Sequence, residues 1–373
     1  MRRLLLLGVL LVLAVPASAA RLPVLAPHDW WPVFSPDGRH VAYTVLVNGQ
    51  GRALGLDVVD IRTKRVVHVG TSGSQPSPTW SSDGRIAYAS GGVIRKASAL
   101  GTGKYRYPSQ HPAFAPAWRP QSEQIAYLTS QGAQNLDLWV GESLWAKGAI
   151  GKPAWSPDGT QIAFQRAGSV WVASQPLVQE QLAVTRGEPG PPAWSPDGSR
   201  IAYTASGRVY VVPADASAAP AEVAGPFRDV GPLSWSPAGD RLAYSIAGGV
   251  EVTTLAPAPT SKLLVPGASP GASFAPQGNV LAYAGSVPGC PGHSGIALLG
   301  RGVVAGTCVI AGTSGADVID GTPTWGDVIR AGAGDDRVHA ADRHTDRVDC
   351  GPGRDTVWAD RTDRIAHCEV VHR

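Results

Sequence analysis

The sequence predicts an all-β protein: a β-propeller of four-stranded blades followed by a short parallel β-roll. Three observations predict it. One phrase recurs seven times along the chain, at a spacing of roughly 40 residues. A shorter phrase built on aspartate recurs near the C-terminus with the period of a nonapeptide. No region of the chain has the alternating strand–helix texture of an α/β domain.

The long phrase reads FSPDGRHVAY from Phe34, WSSDGRIAY from Trp80, WRPQSEQIAY from Trp118, WSPDGTQIAF from Trp155, WSPDGSRIAY from Trp194, WSPAGDRLAY from Trp235 and FAPQGNVLAY from Phe274. The step between opening aromatics is widest from Phe34 to Trp80 and nearly constant thereafter, which is the regularity of propeller blades. The aromatic supplies apolar bulk for packing between blades. Ser-Pro-Asp-Gly is turn chemistry: Pro presets φ, Asp hydrogen-bonds nearby backbone and Gly takes positive φ. Ile-Ala-Tyr is a short strand with a small middle residue, and a second strand such as VYVV from Val209 follows. Single blades cannot bury both faces, and a closed ring can. Seven recurrences predict seven blades, with six or eight left open because the ends of a ring can share one. The turn residues Asp37, Asp83, Asp158 and Asp197 repeat with the motif and read as structural. The second unit is one residue shorter, and the third carries Arg119-Pro120-Gln121-Ser122 in place of Ser-Pro-Asp-Gly; both read as blades with altered turns.

The repeated WSPDG-x-x-IAY/F phrase resembles the TolB-type propeller repeat, also found in the propellers of prolyl-oligopeptidase-like enzymes. The resemblance runs over residues 29–311, and the propeller domain is assigned to 21–311. It implies architecture far more than function, because fold does not fix function.

The N-terminus reads as a signal peptide over residues 1–20: Arg2 and Arg3, an apolar run Leu4 to Val15, then Ala17-Ser18-Ala19 as the cleavage site. That run is too short for an ordinary membrane span. The chain is therefore expected outside the cytosol, secreted or in the cell envelope, without a transmembrane segment once cleaved. Four cysteines in an exported chain suggest two disulfides. Cys290 and Cys308 stand as far apart as Cys350 and Cys368, although four cysteines allow three pairings.

From residue 312 to 373 the texture changes, and aspartates stand thickly among arginines. Asp317, Asp327, Asp336, Asp346, Asp355 and Asp363 are each followed two residues later by an aliphatic, Ile319, Ile329, Val338, Val348, Val357 and Ile365. A turn, an aspartate and an inward aliphatic at this period describe a parallel β-roll. The stretch resembles the RTX (haemolysin-type) calcium-binding repeat, in which turns stack along one edge and Ca²⁺ sits between them. The turn glycines survive in alternate units: Gly312 and Gly315, Gly332 and Gly334, Gly351 and Gly353. Alternate units lie on opposite edges, so the resemblance implies calcium geometry on one edge, with Asp317, Asp336 and Asp355 as ligands. Hard oxygen donors suit Ca²⁺. Asp327, Asp346 and Asp363 are assigned instead to turn hydrogen bonds or to pairs with the neighbouring arginines. A metal-free, aspartate-capped roll is the alternative. A Cys350–Cys368 bond would staple the last coil, because equivalent positions in adjacent coils sit about 4.8 Å apart, and Cys290–Cys308 would close the final blade.

Catalytic motifs are not evident. There is no phosphate loop or dinucleotide fingerprint, and Gly292-His293-Ser294-Gly295 lacks the final glycine of a Gly-x-Ser-x-Gly nucleophile elbow. His339, His344, His367 and His372 crowd the tail without zinc-ligand spacing. A net charge of +3 with scattered basic residues argues against nucleic acid. The reading is an exported, monomeric propeller binding protein, taking a protein, peptide or glycan partner on a propeller face, with a calcium-binding tail. The alternatives are a secreted propeller-type hydrolase or lyase, recognisable by facing carboxylates in the channel, and a cell-envelope scaffold similar to the TolB propeller.

Overall fold

A computed structural model describes residues 32–373 apart from 47–53, 64, 73–76, 110–111, 131–135, 185–188, 267–270, 278–279, 287–293, 299–301, 307–308, 312–314 and 322–326. The signal peptide and the Cys290–Cys308 pair lie outside the described residues. The described strands before residue 307 form seven four-stranded antiparallel sheets, each made of four consecutive strands. They span 33–72, 79–106, 113–147, 150–184, 193–224, 234–266 and 272–306. Each recurrence of the long phrase therefore builds one sheet, and no sheet mixes strands from the two ends of the ring.

Each phrase straddles the first two strands of its sheet. In the fifth, Ala193–Trp194 pairs with Arg200–Ala205, with Trp194 opposite Ile201. The turn between them is held by the serine. Ser195 Oγ donates to Asp197 Oδ1 at 2.5 Å and accepts from the Arg200 amide at 2.9 Å. The same set recurs at Ser35–Asp37–His40 and Ser156–Asp158–Gln161. In the sixth repeat Ala238 replaces the aspartate, and Asp240 takes over, accepting from Ser236 Oγ at 2.7 Å. The turn aspartates are thus structural acceptors, and the Ser195 hydroxyl with the Ser199 amide and hydroxyl pulls the Asp197 carboxyl down to about 2.

Packing between sheets follows one rule. The alanine of Ile-Ala-Tyr in each sheet shares a buried cluster with the opening aromatic of the next: Ala42 with Trp80, Ala87 with Trp118, Ala126 with Trp155, Ala163 with Trp194, Ala202 with Trp235 and Ala243 with Phe274. Ala282 of the seventh sheet packs with Phe34 of the first, so the ring closes by the same contact. These alanines are fully buried, and a larger side chain there would fill the space the indole occupies.

Hydrogen bonds reinforce the rule. Indole Nε1 of Trp80, Trp155, Trp194 and Trp235 donates to the carbonyls of Val33, Ala117, Ala154 and Ala193 in the preceding sheets, at 2.9 to 3.1 Å. Trp118, in the altered third repeat, turns its Nε1 to the Ser122 carbonyl of its own turn at 2.8 Å. Its backbone amide is held by Thr79 Oγ1 of the preceding sheet instead. Phe274 has no indole N–H, and its amide takes Ser234 Oγ at 2.9 Å. The arginines Arg85, Arg119, Arg200 and Arg241 lie 4.9 to 5.4 Å over the aromatic of the next sheet.

After the seventh sheet the chain coils into two parallel sheets. One contains Val309–Ala311, Val328–Arg330, Arg347–Asp349 and Arg364–Ala366; the other contains Val318–Asp320, Arg337–His339, Thr356–Trp358 and Val370–His372. Successive coils pair in register, Ile319 opposite Val338 and Val338 opposite Val357. The middle residues of five of these three-residue strands point inward: Ile319, Ile329, Val338, Val348 and Val357 are buried together, with Ile365 packed against them, whereas Val371 of the last strand is exposed. The first roll strand starts at Val309, ahead of the boundary expected at 312, because it pairs with Val328–Arg330. No aspartate precedes it, so its sequence carries no roll signature. Cys350 and Cys368 form a disulfide across the last coil, with a Cα separation of 5.2 Å. Among the described residues no helix is long and apolar enough to cross a membrane.

The packing rule predicts a graded response at Trp235. Trp235→Phe keeps the ring and loses the bond to Ala193, and should cost about 1 kcal/mol in equilibrium urea unfolding. Trp235→Ala should cost ~3–5 kcal/mol. Equal losses would mean that the indole hydrogen bond, rather than the buried bulk, holds adjacent sheets together.

Candidate metal centre in the C-terminal roll

Both edges of the roll are lined by aspartates, and on both the same bond recurs. On the glycine-bearing edge, Asp336 Oδ1 accepts the Asp317 amide at 2.8 Å, and Asp355 Oδ1 accepts the Asp336 amide at 2.8 Å. Glu369 Oε2 ends the column by accepting the Asp355 amide at 2.8 Å. On the opposite edge, Asp346 Oδ1 accepts the Asp327 amide at 2.7 Å and Asp363 Oδ1 accepts the Asp346 amide at 2.9 Å. Each aspartate thus hangs the coil before it by one oxygen. A parallel roll places the same residue above itself once per coil, and this is why a periodic sequence produces a ladder.

The second oxygen is where chemistry enters. Asp336, Asp346 and Asp355 are buried, and their Oδ2 atoms have no hydrogen-bond partner among the described residues. A buried polar atom without a partner costs free energy unless something meets it.

On the glycine edge the turns stack backbone on backbone. A Cβ on Gly353 would fall 1.8 Å from the Gly334 carbonyl oxygen, and one on Gly351 1.9 Å from that of Gly332. The first would also lie 3.1 Å from Asp355 Oδ1. Gly332, Gly334 and Gly351 take positive φ, of 105°, 123° and 85°. Only glycine fits this cradle of carbonyl oxygens beside carboxylates. The donor set is all hard oxygen and fits a calcium ion. Of the residues the sequence singled out on this edge, Asp317, Asp336 and Asp355 form one column and Gly315, Gly334 and Gly353 stack together. Gly312 lies outside the described residues.

The opposite edge differs from expectation. Of Asp327, Asp346 and Asp363, assigned to turn hydrogen bonds or arginine pairs, Asp363 accepts the Asp360 amide of its own turn at 2.6 Å, while the Oδ1 atoms of Asp346 and Asp363 bond the coil before them. In addition, Asp327, Asp342 and Asp346 bring carboxylate oxygens within 4.8 Å of one another. Sequence reasoning passes over Asp342 because it sits outside the Asp-x-aliphatic register, ahead of Asp346 in a turn without glycine. Burial, with the carboxylates of Asp342, Asp363 and Asp327 adding to it, pushes the Asp346 carboxyl up to about 8. Burial also raises Asp363.

Three of the four tail histidines are occupied in other ways, while His344 Nδ1 is buried without a hydrogen-bond partner among the described residues. His339 Nδ1 meets Asp320 and His367 Nδ1 meets Asp349, both at 2.8 Å, and His372 stacks on Trp358 with ring centroids 5.2 Å apart. In the propeller, the first strands of the sheets, which lie next to one another around the ring, carry no aspartate or glutamate in any described position. What they do carry is Lys152, unmarked by any motif. Its Nζ donates to the Pro78 carbonyl at 2.8 Å, past the third sheet, and burial pushes the amine down to about 8.

No family model matches the chain, and no curated protein matches it. Solved structures do match. The Swd1 β-propeller domain of Myceliophteria thermophila is 13% identical, with 73% of this chain and 98% of that chain covered at a TM-score of 0.52. Oligogalacturonate lyase in complex with manganese is 12% identical, with 70% and 87% covered at a TM-score of 0.56. A putative TolB from Agrobacterium tumefaciens is 18% identical, with 61% and 95% covered at a TM-score of 0.47. At such identities the first two likenesses show the β-propeller fold alone, and the third is too distant to carry an argument.

The raised Asp346 carboxyl fixes a pH dependence. Between the ordinary aspartate value of 3.8 and about 8 the folded roll holds a proton that the unfolded chain releases. In EDTA, stability of the roll should therefore fall as pH rises from about 4 to about 8. Asp346→Asn should remove most of that slope in thermal melts, with Asp363 leaving a remainder. A wild-type melting temperature flat across the range would contradict a carboxyl held neutral by burial.

Proposed function

We propose that this chain is an exported binding protein, in which a rigid propeller presents its rim to a protein, peptide or glycan partner and the C-terminal roll holds calcium. The observation that carries the calcium reading is the glycine edge. Buried, unpartnered Oδ2 atoms of Asp336 and Asp355 stand in the same column as turns whose carbonyls of Gly332 and Gly334 occupy the space of a missing Cβ. Asp317, Asp336 and Asp355, with the turn carbonyls, would supply the ligands. Bound there, the ion would neutralise carboxylates that now share the low-dielectric edge. A tail of this kind is expected to order after export, where calcium is available and the Cys350–Cys368 bond persists.

Binding is favoured over catalysis by what the propeller surface offers. In their described positions the first strands carry no aspartate or glutamate of the kind that faces a glycosidase- or lyase-type channel. At the outer side, between the second and third sheets, Arg106, Pro108, Ser109, Tyr127 and Glu142 line an open cleft of about 190 Å³. Tyr105, which precedes Arg106 in the outermost strand of the second sheet, is 47% exposed. An exposed tyrosine next to arginine is a frequent anchor for partners.

Thermal unfolding of the whole chain in millimolar Ca²⁺ and in excess EDTA tests the tail. A ligand at 100 times its dissociation constant that binds only the folded state stabilises it by about 2.7 kcal/mol. The roll's transition should rise in calcium, and the rise should shrink in Asp336→Ala. Identical melts would leave an aspartate-capped, disulfide-stapled roll.

A further inference from the structure

The carboxylate cluster on the edge without turn glycines is a second place where the roll leaves charge unmatched. Asp327 and Asp346 are 1% and 0% exposed, and the Asp342 side chain is 12% exposed. Three acidic groups together are not in themselves a site. The second observation is that Asp342 Oδ2 and Asp346 Oδ2 are both buried without a hydrogen-bond partner among the described residues.

The next coil shows what a satisfied version looks like. There Asp363 uses both oxygens, Oδ1 on the Asp346 amide at 2.9 Å and Oδ2 on the Asp360 amide at 2.6 Å. Asp360 Oδ2 in turn accepts the Asp342 amide at 2.9 Å and the Arg343 amide. Among the described residues, the carboxylate oxygens left unpartnered on this edge are those of Asp342 and Asp346, in the coil paired with that of Asp327. Their spacing is also telling. Two oxygens bound to one calcium ion at about 2.4 Å cannot be more than ~4.8 Å apart. The three carboxylates meet that limit mutually, since their oxygens lie within 4.8 Å of one another.

We infer that Asp327, Asp342 and Asp346 hold one divalent cation of calcium type, at a site separate from the glycine edge and sharing none of its residues. In this site side-chain carboxylates do the work that turn carbonyls do where glycines are present. Asp342 is the residue that converts the edge: without it, the Asp327–Asp346 step is the same single hydrogen bond as elsewhere in the ladders. Asp342 Oδ1 accepts the His344 amide at 2.7 Å, with His344 Nδ1 3.5 Å from the same oxygen, so three carboxylates supply hard oxygen with one imidazole nitrogen beside them.

The test is calcium binding to the whole chain, by isothermal titration with CaCl₂, for the wild type, Asp342→Asn and Asp336→Asn. Far-UV circular dichroism in EDTA establishes that each variant is folded. Asp342 is partly exposed and the asparagine has the same shape, so folding should be retained. The expected result is that Asp342→Asn removes one equivalent of bound calcium or weakens one site by at least ~10-fold, while Asp336→Asn leaves that equivalent in place. Wild-type calcium binding in Asp342→Asn would overturn the inference, whatever happens on the glycine edge. Loss confined to Asp342→Asn would support it and overturn the glycine-edge reading. Absence of binding in the wild type would overturn both. A parallel titration with ZnCl₂ that displaced calcium from this site at equal concentration would overturn its assignment as an oxygen-type calcium site.

Discussion

The structure depends on one contact: an aromatic ring from each sheet laid on the alanine of the sheet before it. Everything else in the propeller is arranged around that pair. The Ile-Ala-Tyr strand must keep its middle residue small, because the neighbour's indole occupies the space a larger side chain would need. The Ser-Pro-Asp-Gly turn must be tight, because it sets the aromatic at the end of one strand and the alanine in the next. The arginine that often follows the turn extends the same interface by covering the next aromatic from outside. Since Ala282 and Phe34 repeat the contact across the two ends of the ring, closure needs no strand exchange.

The C-terminal roll rests on a different constraint, the repetition of one residue directly above itself. Stacked aspartates give each coil a fixed hydrogen bond to the coil before it, and they also collect like charges along two edges. A roll this short has little apolar core, confined to one aliphatic per strand, together with small residues and the disulfide. The carboxylates cannot all be ionised, buried and unpartnered without cost. Protonation answers that cost at Asp346, whose carboxyl burial pushes up to about 8, and a cation bound as proposed would answer it along the rest of the edges.

Much of this was legible in the chain. The sheets could be read from the long recurring phrase because each repeat carries its aromatic, its turn and its small residue together. The alternation of roll edges could be read from the aspartate steps, and the Cys350–Cys368 pairing from its one-coil spacing. The missed features share a cause: they depend on neighbours brought together only by the fold. Asp342 lies off the periodic register, Lys152 belongs to no motif, and Trp118 redirects its indole because the turn beneath it changed. The strand Val309–Ala311 reads as propeller in the sequence, because only its pairing with Val328–Arg330 identifies it.

The most direct measurement of the central contact is at the closing seam. Ala282→Leu and Ala202→Leu place the same extra bulk against an aromatic, one between the seventh and first sheets and one at an interior interface. Equilibrium urea unfolding should show losses of equal size, each on the order of 1–3 kcal/mol. An unchanged stability in Ala282→Leu, with a loss in Ala202→Leu, would mean that the ring is open between its ends and that the contact does not close it.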